Sequence, residues 1–201
     1  MKRISAIILS AGSSRRMGEP KALLQIGKKT FLQHIIDAAE SSGVTDNVVV
    51  LGCEQKVIRE TLSSYNGKIV INVAWEHGQL SSIITGVEAL NLNDCDGALI
   101  LPVDHPLISS TLIRALMNEF EESGKKIIIP VYEGRRGHPL IISSDLFPEI
   151  KNASSAVGLR EVIRTHSNDI GVVPTTEEGI LLNIDTPDDY QKYVLNFNVE
   201  E

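Results

Sequence analysis

One segment near the start of the chain combines small, hydroxyl-bearing and basic residues in an order that suits phosphate binding. Residues 9–21 read Leu-Ser-Ala-Gly-Ser-Ser-Arg-Arg-Met-Gly-Glu-Pro-Lys. Small residues let the backbone approach a ligand closely, and consecutive amide groups with neighbouring hydroxyls can hold phosphate oxygens. Basic side chains then balance the charge of a triphosphate. We therefore predict a nucleotide-binding loop, and its binding residues are Ala11, Gly12, Ser13, Ser14, Arg16 and Lys21. The alternative is a surface loop whose basic side chains are only solvated.

The segment matches neither of two widespread phosphate-binding patterns. A P-loop ends in Gly-Lys followed by Ser or Thr, whereas Lys21 follows Glu19 and Pro20. The dinucleotide fingerprint needs a second glycine two residues after the first, and Gly12 is followed by two serines. The loop is therefore of a different type.

Two aspartates follow predicted strands and offer carboxylates for metal binding. Asp104 follows the apolar run 98–101, and Asp185 precedes a helix that Pro187 opens. Ligands of an open parallel sheet bind beyond the carboxyl ends of its strands, so we expect Asp104 at the same edge as the loop. Two such carboxylates suit one Mg²⁺, which takes oxygen ligands and keeps substrate phosphates in its shell. The alternative for each is helix capping, which Thr186 can perform in place of Asp185.

Two glycine-containing segments carry further polar groups. Gly78, Gln79 and Ser81 precede a predicted helix, so they either meet the edge of a base or cap that helix. Residues 134–139 read Gly-Arg-Arg-Gly-His-Pro and form a tight turn, whose arginines suggest another anion nearby. We interpret its His138 as structural more readily than catalytic. The remaining histidines show no zinc-ligand spacing, and the two cysteines are interpreted as reduced, buried thiols.

Apolar runs alternate with amphipathic helical patterns, and this order predicts where the polar segments lie. The predicted strands are 5–10, 47–51, 68–73, 98–101, 127–131, 139–142, 170–173 and 180–183. The predicted helices are 31–42, 55–62, 81–90, 109–122, 159–165 and 187–194. Regular alternation over the first 130 residues predicts a mostly parallel sheet wrapped by helices. We expect the later short strands to be an insertion or edge that covers the carboxyl end of the sheet.

Composition narrows the class of protein. The 201 residues are 42% hydrophobic, enough for a full core, and we expect a single domain over 1–201. The net charge of −7 argues against nucleic-acid and membrane-surface partners, although residues 1–29 hold seven basic residues and one acidic residue. This local excess predicts one anion site. No signal peptide or membrane-spanning run is recognised, so we expect a cytoplasmic, soluble protein.

Five segments, spread in order over nearly the whole chain, together resemble the molybdenum cofactor nucleotidyltransferases. They are residues 9–21, 78–86, 102–107, 137–139 and 184–188. The Ala-Gly-Ser-Ser core of the first looks more like the cytidylyl-transferring branch than like the guanylyl-transferring relatives, which usually read Leu-Ala-Gly-Gly. One departure is Val103, where many relatives have glycine before the metal aspartate. The resemblance implies a three-layer α/β/α, Rossmann-like fold with a mostly parallel twisted sheet, of the nucleotide-diphospho-sugar transferase type.

The resemblance also implies roles for individual residues. Nucleotide binding is implied for Ala11, Gly12, Ser13, Ser14, Arg16, Lys21, Gly78, Gln79 and Ser81. Catalysis is implied for Lys21, Arg16 and Asp104. A site for Mg²⁺, or for Mn²⁺, is implied for Asp104 and Asp185. An acceptor pocket is implied for Gly137, His138 and Pro139.

The reaction implied is transfer of CMP from CTP to the phosphate of molybdopterin or the molybdenum cofactor, with release of pyrophosphate. A molybdoenzyme or its maturation chaperone would then receive the product. One alternative is the same chemistry with GTP, or with a sugar or polyol phosphate as acceptor. Another is a chaperone that binds a nucleotide or cofactor without turnover.

Overall fold

The computed structural model describes residues 2–44, 46–155 and 158–195, which build a central sheet between two layers of helices. The strands are β1 (Ile4–Ser10), β2 (Gln25–Ile26), β3 (Lys29–Thr30), β4 (Asp46–Leu51), β5 (Lys68–Ile71), β6 (Gly97–Pro102), β7 (Ile127–Tyr132), β8 (Arg135–Arg136), β9 (Leu140–Ser143) and β10 (Ile170–Pro174). Their order in the sheet is β10-β7-β9-β6-β1-β4-β5; β8 pairs with β7, and β2 and β3 form a separate hairpin. The central strand β1 runs parallel to both of its neighbours, β4 and β6.

Helices cover both faces of this sheet. They are α1 (Phe31–Ser42), α2 (Gln55–Glu60), α3 (Gln79–Ala89), α4 (Ser110–Ser123), α5 (Phe147–Asn152), α6 (Leu159–Thr165) and α7 (Pro187–Tyr190). Residues of α1, α2 and α4 share one hydrophobic cluster, and residues of α3, α5 and α6 share another. In β1, Ile8 belongs to the first cluster and Ile7 to the second. The predicted three-layer fold with a mostly parallel sheet is thus confirmed. No helix in the described ranges is both long and apolar enough to cross a bilayer.

Local sequence signals begin and end the elements that support the site. All seven residues of β1 are buried, as its continuous apolar run predicts for a strand covered on both faces. Helix α1 begins at a capping box between Thr30 and Gln33 and ends at Gly43, whose φ of 92° favours glycine. Helix α4 begins at Ser109, whose side chain accepts a hydrogen bond from the Leu112 amide. The first strand and helix therefore lie close to their predicted bounds.

The later strands differ from the prediction. Instead of covering the carboxyl end of the sheet, β9 inserts between β6 and β7 and runs antiparallel to both. Strand β10 extends the sheet beyond β7 and runs parallel to it. Helix α5 and the short strands β2, β3 and β8 were not predicted, because segments of two to six residues carry too few positions to show a period.

The predicted strand 180–183 is wrong. Residues Glu178–Leu181 form a 3₁₀ turn, and the following residues pair with no strand in the described part of the chain. Ile180 is fully buried because the Gly137 backbone packs against it, where a Cβ on Gly137 would lie 2.4 Å from the Ile180 carbonyl oxygen. The apolar residues at 180–183 therefore indicate burial against the rest of the fold and not pairing with another strand. The predicted closing helix 187–194 is helical over its whole length, but α7 ends at Tyr190 and continues as a π-helical turn, Gln191–Leu195.

A small hydrophobic cluster joins the first loop to the C-terminal segment. Met17 of the loop and Ile184, which precedes Asp185, are both buried in it together with Leu24, Ile26, Phe31 and Val194. This cluster lies apart from the two clusters that cover the sheet. It brings two segments that are remote in sequence to one place, and thereby positions the site.

We predict that Gly86→Ala destabilises the protein, because α3 packs directly on β1. A Cβ at Gly86 would lie 2.3 Å from Cγ2 of the fully buried Ile7. Overpacking costs about 1–3 kcal/mol and alanine regains up to about 1 kcal/mol of helix propensity, so we expect a net loss of about 1–2 kcal/mol in urea unfolding. Glu88→Ala, at an exposed position of the same helix, should change stability by less than about 0.5 kcal/mol. Equal stability of the two variants would contradict this packing.

Candidate nucleotide and metal site

The carboxyl ends of β1, β4 and β6 meet at the edge of the sheet where the first loop begins. The amide of Val103 donates to the Leu9 carbonyl at 3.0 Å, and the amide of Cys53 donates to the Ala11 carbonyl at 3.0 Å. Gly52 permits the close approach, since a Cβ there would lie 2.7 Å from the Ala11 carbonyl oxygen. Asp104 is thus brought to the same edge as the loop, as predicted.

A cleft of about 400 Å³ opens at this edge. It is lined by ten of the residues that the sequence singled out: Ala11, Gly12, Ser13, Ser14, Arg16, Lys21, Gly78, Gln79, Asp104 and Asp185. Three others that the sequence did not single out, Arg15, Trp75 and Glu76, line it as well. The first loop contributes the basic residues of the lining, and the segment after β5 contributes Trp75, Glu76, Gly78 and Gln79.

The first loop turns tightly at Ser14. Its φ is 48°, and its carbonyl accepts hydrogen bonds from the amides of Met17 and Gly18 at 2.9 and 3.1 Å. The Ser14 hydroxyl accepts from the Lys21 amide at 3.1 Å, which leaves its proton free to be donated to a ligand. Gly12 is exposed, with no heavy atom within 4 Å of a Cβ built on it, so the backbone there is open to an approaching anion.

Four charged side chains, two basic and two acidic, meet in the cleft. The Lys21 ammonium donates a hydrogen bond to Oδ1 of Asp185 and lies 3.4 Å from Oδ2 of Asp104. Arg16 donates to Oδ2 of Asp185 at 2.8 Å. Because both carboxylates converge on one cation, their arrangement suits a single shared divalent ion. No cluster of three or more potential His, Cys, Asp or Glu ligands occurs among the described residues, so phosphates and water would complete its shell.

Backbone contacts hold the two aspartates together. The amide of Ile184 donates to the carbonyl of Asp104 at 2.8 Å, which places Asp185 beside it. Thr186, and not Asp185, is the N-cap of α7, and it forms a capping box with Asp189. Ser109 caps α4, so Asp104 caps no helix there. The capping alternatives considered for the two aspartates therefore do not apply to these helices.

The segment after β5 differs in detail from the prediction. Gly78, with a φ of 94°, and Gln79 line the cleft, but Ser81 does not. The Ser81 hydroxyl donates to the Gly78 carbonyl at 2.8 Å and accepts from Asn72, so it braces the loop. Ser82, one residue further along α3, lines the cleft instead.

Trp75 and Glu76 line the cleft as well, and sequence reasoning missed both of them. Trp75 is half-buried, and its Cβ would lie 2.7 Å from a Cβ on Gly52, so it packs against the end of β4. Glu76 is exposed. Their position in the chain could have identified them. Both residues follow a predicted strand, as Asp104 does, and the carboxyl ends of parallel strands lie at one edge of the sheet. Arg15, which the sequence left without a role, lines the cleft beside Arg16.

The Gly-His-Pro turn does not line the cleft. The His138 amide donates to the Ile180 carbonyl at 2.9 Å, and its ring lies 4.7 Å, centroid to centroid, from that of His105. Burial is the main cause that lowers the pKa of His138 to about 4, and the neighbouring His105 contributes to the same shift. Burial also lowers the pKa of His105. Both rings are therefore neutral at pH 7, and an acceptor pocket at Gly137, His138 and Pro139 stays a prediction.

The fold and the cleft agree with the comparison to protein families. The chain belongs to the family of MobA-like NTP transferase domains, whose model matches residues 6–170. It is accordingly an enzyme of the nucleotidyltransferase class. The match includes the first loop and Asp104, whereas Asp185 lies beyond it. The family-level resemblance drawn from the sequence is confirmed.

Named relatives differ in what they act on. A probable molybdenum cofactor guanylyltransferase of Bacillus cytotoxicus is 31% identical over 70% of this chain and 68% of its own. The nicotine blue oxidoreductase of Paenarthrobacter nicotinovorans is 27% identical over 91% and 92%, and the molybdenum cofactor cytidylyltransferase of Escherichia coli is 26% identical over 94% and 95%. The crystal structure of Rv0371c from Mycobacterium tuberculosis has a TM-score of 0.85 at 22% identity, covering 96% of this chain and 98% of that one, which shows the shared fold.

The lowered pKa of the half-buried His138 predicts that the protein loses stability in acid. Its folded-state pKa of about 4 lies below the value of 6.5 for an exposed imidazole, so between these values the unfolded chain binds a proton that the folded chain does not. The free energy of unfolding should therefore fall as the pH drops below about 6.5, with His138 contributing on the order of 2–3 kcal/mol by pH 4. Urea unfolding of His138→Asn should show a flatter pH profile over this range.

The control for this experiment is His77→Asn, at an exposed position. It should change stability by less than about 0.5 kcal/mol, because it is a substitution at an exposed surface position. Parallel profiles for the wild type and His138→Asn would contradict a lowered pKa at the half-buried His138.

Proposed function

We propose that the enzyme transfers CMP from CTP to the phosphate of molybdopterin or the molybdenum cofactor. The observation that carries this proposal is the meeting of Lys21, Arg16, Asp104 and Asp185 on one side of the cleft. Two cations suited to phosphates and two carboxylates suited to one metal ion are what transfer between two anionic substrates requires. A protein that only bound a nucleotide would not need the paired carboxylates.

The chemistry needs no general base. A phosphate monoester has its second pKa near 6, so the acceptor phosphate is a nucleophile at neutral pH. One of its oxygens attacks the α-phosphorus of CTP, the bond from that phosphorus to the bridging oxygen breaks, and pyrophosphate leaves with the electron pair. Arg16 and Lys21 bind the triphosphate and stabilise charge on the departing pyrophosphate. The nucleotide loop and the loop at Gly78 orient the substrate for in-line attack.

We assign the divalent ion, Mg²⁺ or Mn²⁺, to Asp104 and Asp185. When bound, it supplies neutralisation of the charge that accumulates on the transferring and leaving phosphates. The two carboxylates fit such an ion because they already share the Lys21 ammonium as a common partner. Asn183, which donates to Asp185 Oδ2 at 2.9 Å, holds that carboxylate in place.

We propose cytosine as the preferred base from the sequence of the first loop and from how much of the chain each named relative matches. The Ala-Gly-Ser-Ser core resembles the cytidylyl-transferring branch, and the relative named as a cytidylyltransferase matches over 94% of this chain. The relative named as a guanylyltransferase is more similar in identity but matches over 70%. GTP is therefore the second nucleotide to test. The acceptor is proposed from the names of these relatives and from the predicted acceptor pocket at Gly137, His138 and Pro139. A sugar phosphate or a polyol phosphate is the alternative acceptor.

The assay is pyrophosphate release with molybdopterin and each of CTP, GTP, ATP and UTP in Mg²⁺. We expect release to be fastest with CTP. Faster release with GTP would agree with a nucleotidyltransferase but would show that it prefers guanine to cytosine. Release with a sugar phosphate but not with molybdopterin would replace the acceptor, and no release with any nucleotide would contradict the proposed reaction.

Asp104→Asn tests the carboxylate directly. This isosteric change removes a metal-binding charge, so we expect kcat to fall about 100-fold or more, the range seen when one preorganised electrostatic contact is lost. Asp94→Asn is the matched control, since Asp94 pairs with Arg3 on the surface outside the cleft. Its kcat should match that of the wild type. Normal turnover in Asp104→Asn would refute the assignment.

Trp75 gives a binding signal that needs no acceptor. It is the only tryptophan of the chain and it lines the cleft, so we expect CTP to change the intrinsic fluorescence. The change should saturate with the affinity found by calorimetry and disappear in Trp75→Phe. Calorimetric binding of CTP without any change in emission would place the nucleotide elsewhere.

A further inference from the structure

We propose that Lys21 and Arg16 mask the aspartate pair in the nucleotide-free protein, so that the triphosphate unmasks the metal site. The divalent ion and the nucleotide then bind in a linked manner, each raising the affinity for the other. The inference rests on the proposed function in that the cleft takes a triphosphate and the aspartates take a metal ion. It adds the prediction that the free protein binds metal poorly because of its own cations.

The first step is the occupancy of Asp185. Its Oδ1 accepts from the Lys21 ammonium, and its Oδ2 accepts from Arg16 at 2.8 Å and from Asn183 at 2.9 Å. Both oxygens of this carboxylate therefore already have donors. Two donors engage the lone pairs of Oδ2 and one donor engages Oδ1, so a metal ion at this carboxylate competes with donors that include two full positive charges.

The second step is the position of Lys21 between the two carboxylates. Its ammonium lies within ion-pair distance of Asp104 as well as Asp185, and its side chain is only 10% exposed. A divalent ion placed on both carboxylates would stand within a few ångströms of this ammonium, where like charges repel strongly in a poorly solvated site. The lysine therefore competes with the ion for one position.

The third step is where the cations go when a nucleotide binds. Lys21 and Arg16 both line the cleft, and Arg16 is 71% exposed, so phosphate oxygens can reach either of them. Charge-assisted hydrogen bonds to a triphosphate replace those to the aspartates. The carboxylates are then free to bind the ion, which adds its own contacts to the phosphates. By reciprocity, a bound ion raises the affinity for the triphosphate by the same factor.

The test measures Mn²⁺ affinity without any nucleotide, from the electron paramagnetic resonance signal of free Mn²⁺. We expect Lys21→Met to bind Mn²⁺ at least tenfold more tightly than the wild type, although the same variant should bind CTP more weakly. Lys21→Arg, which retains the cation, should stay close to the wild type. Lys29→Met removes the same charge at a lysine that pairs with Asp37 at 2.5 Å outside the cleft, and it should leave Mn²⁺ affinity unchanged.

Arg16→Gln covers the case in which Lys21→Met fails to fold. The exposed Arg16 tolerates replacement, and its loss removes one positive charge and one of the two donors on Oδ2 of Asp185, so Mn²⁺ affinity should rise by a smaller factor. The gain should vanish when Asp104→Asn is added to either variant. The proposal is overturned if neither variant binds Mn²⁺ more tightly than the wild type, or if the gain survives Asp104→Asn.

This outcome is separable from that of the proposed reaction, since the titration contains neither nucleotide nor acceptor. If Mn²⁺ affinity is unchanged in both variants and the wild type releases pyrophosphate normally, the masking proposal is wrong and the proposed transferase reaction stands. Tighter Mn²⁺ binding without pyrophosphate release from any nucleotide would retain masking and reject the transferase.

Discussion

The site depends on one electrostatic constraint: Asp104 and Asp185 stand side by side because a cation lies between them. Two carboxylates in a partly enclosed cleft repel each other unless opposite charge compensates them. Lys21 meets this need while its own side chain is almost completely buried. The three residues are separated by 83 and 164 positions along the chain, so only the folded protein brings them together. A metal ion bound to both carboxylates would take the position of the Lys21 ammonium. The contact that holds the two aspartates together is therefore also the contact that metal binding would replace.

The fold supports this meeting point with backbone contacts rather than with a dedicated side-chain framework. The Val103 amide ties the end of β6 to the end of β1, and the Ile184 amide ties the C-terminal segment to Asp104. Packing of Met17 with Ile184 then joins the nucleotide loop to the same segment. Residues 178–185 are consequently shaped by contacts with three other parts of the chain. This explains why they form a turn and an extended connection although their apolar pattern predicts a strand.

The parts of the site that sequence reasoning located are those with strong local signals. A buried strand followed by small, hydroxyl-bearing and basic residues pointed to the first loop, and aspartates directly after strands pointed to the two carboxylates. Trp75 escaped notice because a lone aromatic residue in an irregular segment has no period. Ser81 was placed in the cleft in preference to Ser82 because a shift of one residue at the start of a helix turns a side chain by about 100°, which composition cannot reveal.

The sequence by itself determined the class of fold and indicated the first loop and the two candidate metal ligands, because these follow from short-range periodicity and residue chemistry. Tertiary structure alone decided that β9 inserts antiparallel into the sheet, that the Gly-His-Pro turn lies outside the cleft, and that Lys21 and Arg16 already occupy the aspartates. These features depend on which strands pair across 40 to 46 residues and on which charges meet across more than 80. Such pairings are set by the free energy of the whole packed chain, which no local pattern encodes.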